Sequence, residues 1–328
     1  MCRFLFRDDN MKLKELFDTA IKIGIDNDPR DKKEIQLQLK EIKDAYNLLP
    51  KDEKELFDKE KLTNPYGDSH ISFDAKKPIK TVAVGIDMET PEVLLVNELN
   101  RRGKNIDAIW GHHPEDKGLA MLAQVMEIQK FCNAKARVPI SIAEHVHESR
   151  IAAVNRGVAP ANHTRPIDAT KLLNITYFNT HTPADNCVWN YLTKKFDKAE
   201  PRKLKDVVKL LLKEPEYKDA VNHCAGPNIF YGSPNNFAGR VVIDMTGGTE
   251  GAEEIFQAFA QAGVGTLVGM HFSEKHKKAA EKAKINLVVA GHIASDNIGM
   301  NILIDNIEKR HGKLNIIEMS GFRRFKRK

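Results

Sequence analysis

Apolar residues recur at helical spacing from residue 11 to about 62, in "MKLKELFDTAIKIG" and "DKKEIQLQLKEIKDAYNLL". The pattern predicts two amphipathic helices, with "PKDEKELFDKEKL" as a third opened by its proline. "TNPYGDSHISFDAKKP" follows as a turn-rich linker. From residue 79 the texture changes to short β-branched runs alternating with helical stretches. "IKTVAVGID" reads as a buried strand and "NIDAIWGHHP" as the next one. Between them "TPEVLLVNELNRRG" reads as a helix with Thr90 as N-cap, Pro91 at its first position and Gly103 closing it. Strand, helix and strand in this order imply a right-handed crossover and a parallel sheet.

The same order returns at residues 241–274, "VVIDMTGGTEGAEEIFQAFAQAGVGTLVGMHFSE". Ile86-Asp87-Met88 corresponds to Ile243-Asp244-Met245, and Gly111-His112-His113 to Gly269-Met270-His271. Asp87 and Gly111 lie 24 positions apart, Asp244 and Gly269 25. Further on, "LNITYFNTHTPADN" ends a strand in His181-x-x-x-Asp185-Asn186, and "INLVVAGHIASDN" ends one in His292-x-x-x-Asp296-Asn297. Four features in one order point to an internal duplication, near 79–195 and 238–310. The fold class expected is therefore α/β, two similar halves with parallel or mixed sheets and an N-terminal helical appendage. Residues 1–78 form the appendage and linker. Residues 79–199 form the first half, with an insertion near 136–172, residues 200–237 a connector, and residues 238–328 the second half.

Composition narrows the class little: 41% hydrophobic and 29% charged residues describe an ordinary globular chain of 328 residues. No apolar run is long enough for a bilayer. "MCRFLFRDDN" is too short and too soon acidic for a secretory signal, and Met11 is the start expected from the helix it opens. Cys2, Cys132, Cys187 and Cys224 are scattered, which excludes a C-x-x-C thiolate site and fits a reducing cytoplasm. The net charge of +6 belongs mostly to "GFRRFKRK", whose Arg323, Arg324, Lys326, Arg327 and Lys328 carry five positives; without them the chain stands at +1. The tail reads as a solvated end, with phosphate or nucleic-acid binding as the rival reading.

The histidines carry the chemistry. Successive residues of a strand face opposite ways, so a core wall cannot use both His112 and His113. Once the strand has ended, both rings can turn to one ligand set. Ligands of parallel sheets collect beyond the carboxyl ends of strands, where all these histidines fall. Four-residue spacing puts His181 with Asp185, and His292 with Asp296, on one helix face if a helix opens at each histidine. Two imidazole–carboxylate pairs suit borderline divalent ions, and a close pair of ions would occupy both. Each residue also has a plainer reading: strand-end histidines often cap turns, and an early helical Asp complements the dipole. Asp87 and Asp244 at their strand ends read as helix-cap or turn residues, with orientation of a metal-ligating side chain as the rival reading. His145 and His147, at strand spacing, offer a further metal face or are polar residues of an inserted loop. "TGGTEG" resembles a phosphate-cradling turn, but it lacks a lysine, and Glu250 opposes an anion.

"GHHP", "THTPADN" and "AGHIASDN", in this order, resemble the Nif-three-like proteins, the GTP cyclohydrolase I type 2 homologues, over residues 79 to 308. The resemblance implies a dinuclear centre held by His112, His113, Asp185, His292 and Asp296. The two carboxylates would bridge, and His181 would stand beside the metals as a catalytic acid/base or orienting residue. It also implies a homo-oligomer, a hexameric ring in the family. The sequence departs from the family in three ways. Asp296 stands where glutamate is usual, "PEDKG" replaces an apolar sequel, and the insertion and helical appendage are not general features. The expectation is a metal-dependent hydrolase with two divalent ions per chain (Zn, Mn, Fe, Co or Ni), acting on a small-molecule phosphoester or cyclic C–N bond. The rivals are a metal-binding protein without turnover and an interaction protein using its appendage and basic tail.

Overall fold

The computed structural model describes residues 11–327; the readings placed on residues 1–10, Cys2 among them, and on Lys328 lie outside the described residues. Two sheets are formed. The first contains β1 (Ile71–Phe73), β2 (Thr81–Gly85), β3 (Ala108–Gly111) and β4 (Thr176–Asn179), in the order β1-β4-β3-β2 and closed at its far edge by β9 (Asn315–Glu318). The second contains β5 (Asn228–Tyr231), β6 (Arg240–Asp244), β7 (Val264–Gly269) and β8 (Asn286–Val289), in the order β5-β8-β7-β6. In each, the first strand is antiparallel to its neighbour and the others are parallel. The repeat in the sequence is thus a repeat in topology, and the mixed α/β class holds.

The reasons are local. β3 reads Ala-Ile-Trp-Gly and β4 Thr-Tyr-Phe-Asn, every residue buried on both faces, as parallel strands covered by helices must be. The helix Thr90–Arg101 starts one residue earlier than expected: Glu89, not Thr90, is its N-cap. The Glu92 carboxylate accepts the Glu89 N–H at 3.0 Å, a bond the Thr90 hydroxyl cannot replace.

Three segments differ from their sequence reading. The linker carries β1, and the connector carries β5, each the antiparallel edge of its sheet. Such short strands have too little periodicity to show in sequence. Residues 140–158 are one helix, not a loop, so His145 and His147 lie two positions apart on a helix, with His145 exposed and His147 buried; they form no common metal face. The His147 ring instead accepts the Ala252 N–H on Nδ1 and meets the Asn133 amide on Nε2.

The basic tail is not a solvated end. Arg324 binds Asp305 and Glu308, Lys326 binds Glu308 at 3.0 Å, and Arg327 reaches Glu216 at 2.6 Å. Backbone N–H groups of Phe325 and Arg327 donate to Asn301 and Asp305. Three of the tail's charges, Arg324, Lys326 and Arg327, thus have acidic partners within the chain. No helix among the described residues is long and apolar enough to cross a membrane.

The two helices that matter most begin at the repeated histidines: His181–Ala199 after β4 and His292–His311 after β8. They cross at Gly299, where an added Cβ would run into the backbone carbonyl of Ala184. The N-terminal helix Leu13–Asp26 packs on the first of them with Gly24 against Pro183, and buries Leu16, Phe17, Ala20 and Ile23 in the same core. The following helix, Lys32–Leu48, buries only Ile35.

Candidate metal centre

Parallel strands of both sheets aim their carboxyl ends at one place. β3 ends in Gly111 and delivers His112 and His113; β4 and β8 deliver His181 and His292 as the first residues of their helices. One helical turn on, Asp185 and Asp296 fall below those histidines. All six residues singled out in the sequence are therefore brought together.

Their spacing is informative. His112 Nε2 lies 3.4 Å from Asp185 Oδ1 and 3.5 Å from Asp296 Oδ1. His113 Nε2 and His292 Nε2 lie 3.6 and 3.7 Å from Asp296 Oδ2. These separations are too long for hydrogen bonds. They match two ligand atoms of one tetrahedral ion, which at about 2.1 Å from it stand about 3.4 Å apart. The two oxygens of Asp296 face two different groups, His112 with Asp185 on one side and His113 with His292 on the other. The shorter aspartate in place of glutamate still addresses both.

Buried polar atoms without partners mark the same place. His112 is fully buried, yet neither ring nitrogen has a hydrogen bond; Asp185 Oδ1 and both Asp296 oxygens are equally orphaned. Leaving so many buried polar groups unpaired is costly, and a bound cation removes the cost. Burial pushes His112 down to about 4, against the pull of Asp296, so the ring is neutral with a lone pair to give. Burial pushes Asp296 up, but His112 and His292 together outweigh it and hold its carboxyl below the usual range. Asp185 is pushed well up by burial and by Asp296 and Asp68. Two like charges at this depth are relieved by a proton or by a cation between them, and the buried His/Asp set can hold a metal ion.

The sequence reading missed two of the three groups that orient these rings, Asp68 and Glu250. Asp68 is fully buried and accepts from His181 Nδ1 at 2.8 Å, and from Thr182 Oγ1 at 2.6 Å. Burial would raise its carboxyl, but His181 and Thr182 hold it low. His113 Nδ1 bonds Asp87 at 2.6 Å, and His271 Nδ1 bonds Glu250 at 2.9 Å. A carboxylate on Nδ1 leaves Nε2 free to face inward, the usual support of a ligating histidine. Asp87 is thus an orienting group and not merely a turn residue. Asp68 left no signal, because the linker around it follows neither helical nor strand periodicity. In the "TGGTEG" turn, Gln129 donates to the Gly247 and Thr249 carbonyls, and Glu250 serves His271.

The asparagines after each aspartate hold the helices in place. Asn186 donates to the Gly24 carbonyl and Tyr66 Oη and accepts from Thr246 Oγ1. Asn297 donates to the Gly321 carbonyl and accepts the Arg323 N–H.

No family model and no curated protein matches the sequence. Solved structures do. A NIF3 superfamily protein from Sphaerobacter thermophilus superposes with a TM-score of 0.72 at 20% identity, covering 95% of this chain and 99% of its own. Reduced HcgD from Methanocaldococcus jannaschii gives 0.49 at 12% identity over 86% and 96% of the two chains. TTHA1606 from Thermus thermophilus gives 0.45 at 13% over 78% and 90%. From the first of these likenesses, which spans nearly both chains, the protein is NIF3-like in fold.

Proposed function

We propose that this chain is a dinuclear metal-dependent hydrolase acting on a small molecule. The observation that carries the reading is the orphaned, buried His112–Asp185–Asp296 set, with ligand-like separations on both sides of Asp296. His112 and Asp185 would hold one ion, His113 and His292 the other, with Asp296 between them. Divalent ions supply an acidified water and charge neutralisation for the bond being cleaved. The chain's own part is to set the ligands, exclude bulk water and move a proton. His181 serves that last role: Asp68 fixes its Nδ1, and Nε2 points inward, 3.6 Å from Asp185 Oδ2. The shape is that of a carboxylate-oriented base, as in hydrolytic triads. Assembly into a homo-oligomer belongs to the same proposal.

The test is His181→Ala in protein loaded with its native metal, assayed for release of ammonia or phosphate from a broad substrate panel. Retained metal with hydrolysis lost supports the assignment. Metal lost along with hydrolysis makes His181 a ligand, and metal retained in a wild type inert to the whole panel leaves a binding protein without turnover.

A further inference from the structure

At the end of the second sheet away from the candidate centre, β5 and the loop after it frame an open cleft of about 600 Å³. The centre lies beyond the carboxyl ends of the parallel strands, whereas this cleft lies at the amino end of β8, at Lys284 and Asn286. Three aromatic rings line it, Phe230 and Tyr231 from the sheet edge and Phe237 from the loop. Phe237 is 64% exposed, yet its backbone is fixed. The Leu204 and Lys205 N–H groups donate to the Asn236 and Pro234 carbonyls, and the Ala238 N–H donates to that of Arg202. Gly232 turns the chain at φ +110°, where a Cβ would run into Asn286 Oδ1. A built frame therefore presents the ring to solvent.

Cations flank the aromatic row at both ends. Arg202 and Lys203 stand 5.3 and 5.8 Å from the centre of the Phe237 ring, and Lys277 stands 5.7 Å from that of Phe230. Lys284 lines the cleft itself, and no described carboxylate does. Asp206 is spent on the Lys203 N–H. Glu281, one turn beyond Lys277 on the helix Glu274–Ala283, stays outside the lining. Among the described residues, Arg202, Lys203, Lys277 and Lys284 have no carboxylate within 4.0 Å.

Rings and unpaired cations together select the ligand. A phosphodiester chain needs positive charge along its path, and unpaired bases need aromatic faces to stack on. A duplex keeps its bases stacked inside and leaves the rings unused. An apolar protein partner would bury these cations with nothing opposite them. We propose that this cleft binds single-stranded nucleic acid, with a base stacked on Phe237 and phosphates on Arg202, Lys203, Lys277 and Lys284. The site is separate from the candidate metal centre, and the proposal does not depend on the hydrolase reading.

The full chain is titrated into a fluorescein-labelled oligo-dT of about twelve residues, with anisotropy read at several salt concentrations. Affinity should fall steeply with salt, and a duplex of the same sequence should bind more weakly. Phe237→Ala should weaken binding about fivefold or more, while Phe237→Tyr keeps it. The double variant Arg202→Gln, Lys284→Gln should lower the salt slope by about one. All these positions lie at the surface, so the variants should match the wild type in thermal midpoint and metal content. Absence of binding at low salt, equal binding of the duplex, or binding indifferent to the cleft variants overturns the proposal. Binding lost on removing residues 324–328 alone overturns it too, and assigns nucleic acid to the tail. Self-association that Phe237→Ala abolishes, with no oligonucleotide bound, gives the cleft to a second copy of the chain instead.

Discussion

His181 Nδ1 and Asp68 Oδ2 stand 2.8 Å apart, joined across 113 residues of sequence and buried together. The bond ties a turn before β1 to the helix that carries Asp185, so the histidine cannot rotate without breaking a buried, charge-assisted contact. Asp68→Asn keeps the shape and removes the charge. Hydrolysis should fall about 10- to 100-fold, with metal content and the thermal midpoint little changed, as read by turnover beside elemental analysis. Wild-type turnover in this variant would mean that Asp68 only fills space.

Gly299 sets the distance between the two ligand-bearing helices, because a Cβ there meets the Ala184 carbonyl. Gly299→Ala should destabilise the fold by about 1–3 kcal/mol through overpacking and weaken metal binding with it. Gly157, with nothing within 4 Å of its Cβ position, is the control. Gly157→Ala should be neutral or stabilising by up to about 1 kcal/mol. Denaturant melts of both variants decide, and equal effects at the two sites would refute the close-crossing argument.

The C-terminal tail is a structural strap. Glu216 has a fully buried side chain and faces Arg327 at 2.6 Å, so Arg327→Met leaves that carboxylate uncompensated. Breaking a buried pair from one side costs roughly 3–5 kcal/mol, and the melting temperature should drop accordingly. A stable variant, together with salt-sensitive DNA binding lost on removing residues 324–328, would restore the interaction reading.

His147 gives the fold a definite pH dependence. Burial pushes it down to about 4, from an ordinary value near 6.5. Between those values the unfolded chain takes up a proton that the folded chain refuses, so stability falls as pH falls through that window. The loss is up to about 3 kcal/mol by pH 4. His147→Gln should flatten this part of the stability profile in urea titrations. An unchanged slope would assign the acid sensitivity to other groups.

Much of this was legible in the sequence, for stated reasons. The repeated Asp-Asn pairs are the clearest case: Asp185 and Asp296 face the centre while Asn186 and Asn297 lock their helices to neighbouring segments. Both roles need one helical turn after a strand-end histidine, a spacing that sequence alone displays. The doubled histidines were legible because strand alternation forbids them in one wall. Asp68 was not, since its role depends on a contact 113 residues away. Nor was the docking of the tail, because a run of arginines looks the same whether it meets water or Asp305, Glu308 and Glu216. The antiparallel edges β1 and β5 were hidden by their brevity.

The central claim is that His112, His113, Asp185, His292 and Asp296 hold metal. Its most direct test is elemental analysis of metal per chain, on protein purified without chelator or affinity histidines, for wild type and for Asp296→Ala and His113→Ala. The account predicts about two ions per wild-type chain, a sharp loss of both in Asp296→Ala, and loss of one in His113→Ala. A wild type with little metal that added Zn, Mn or Fe does not restore would contradict it.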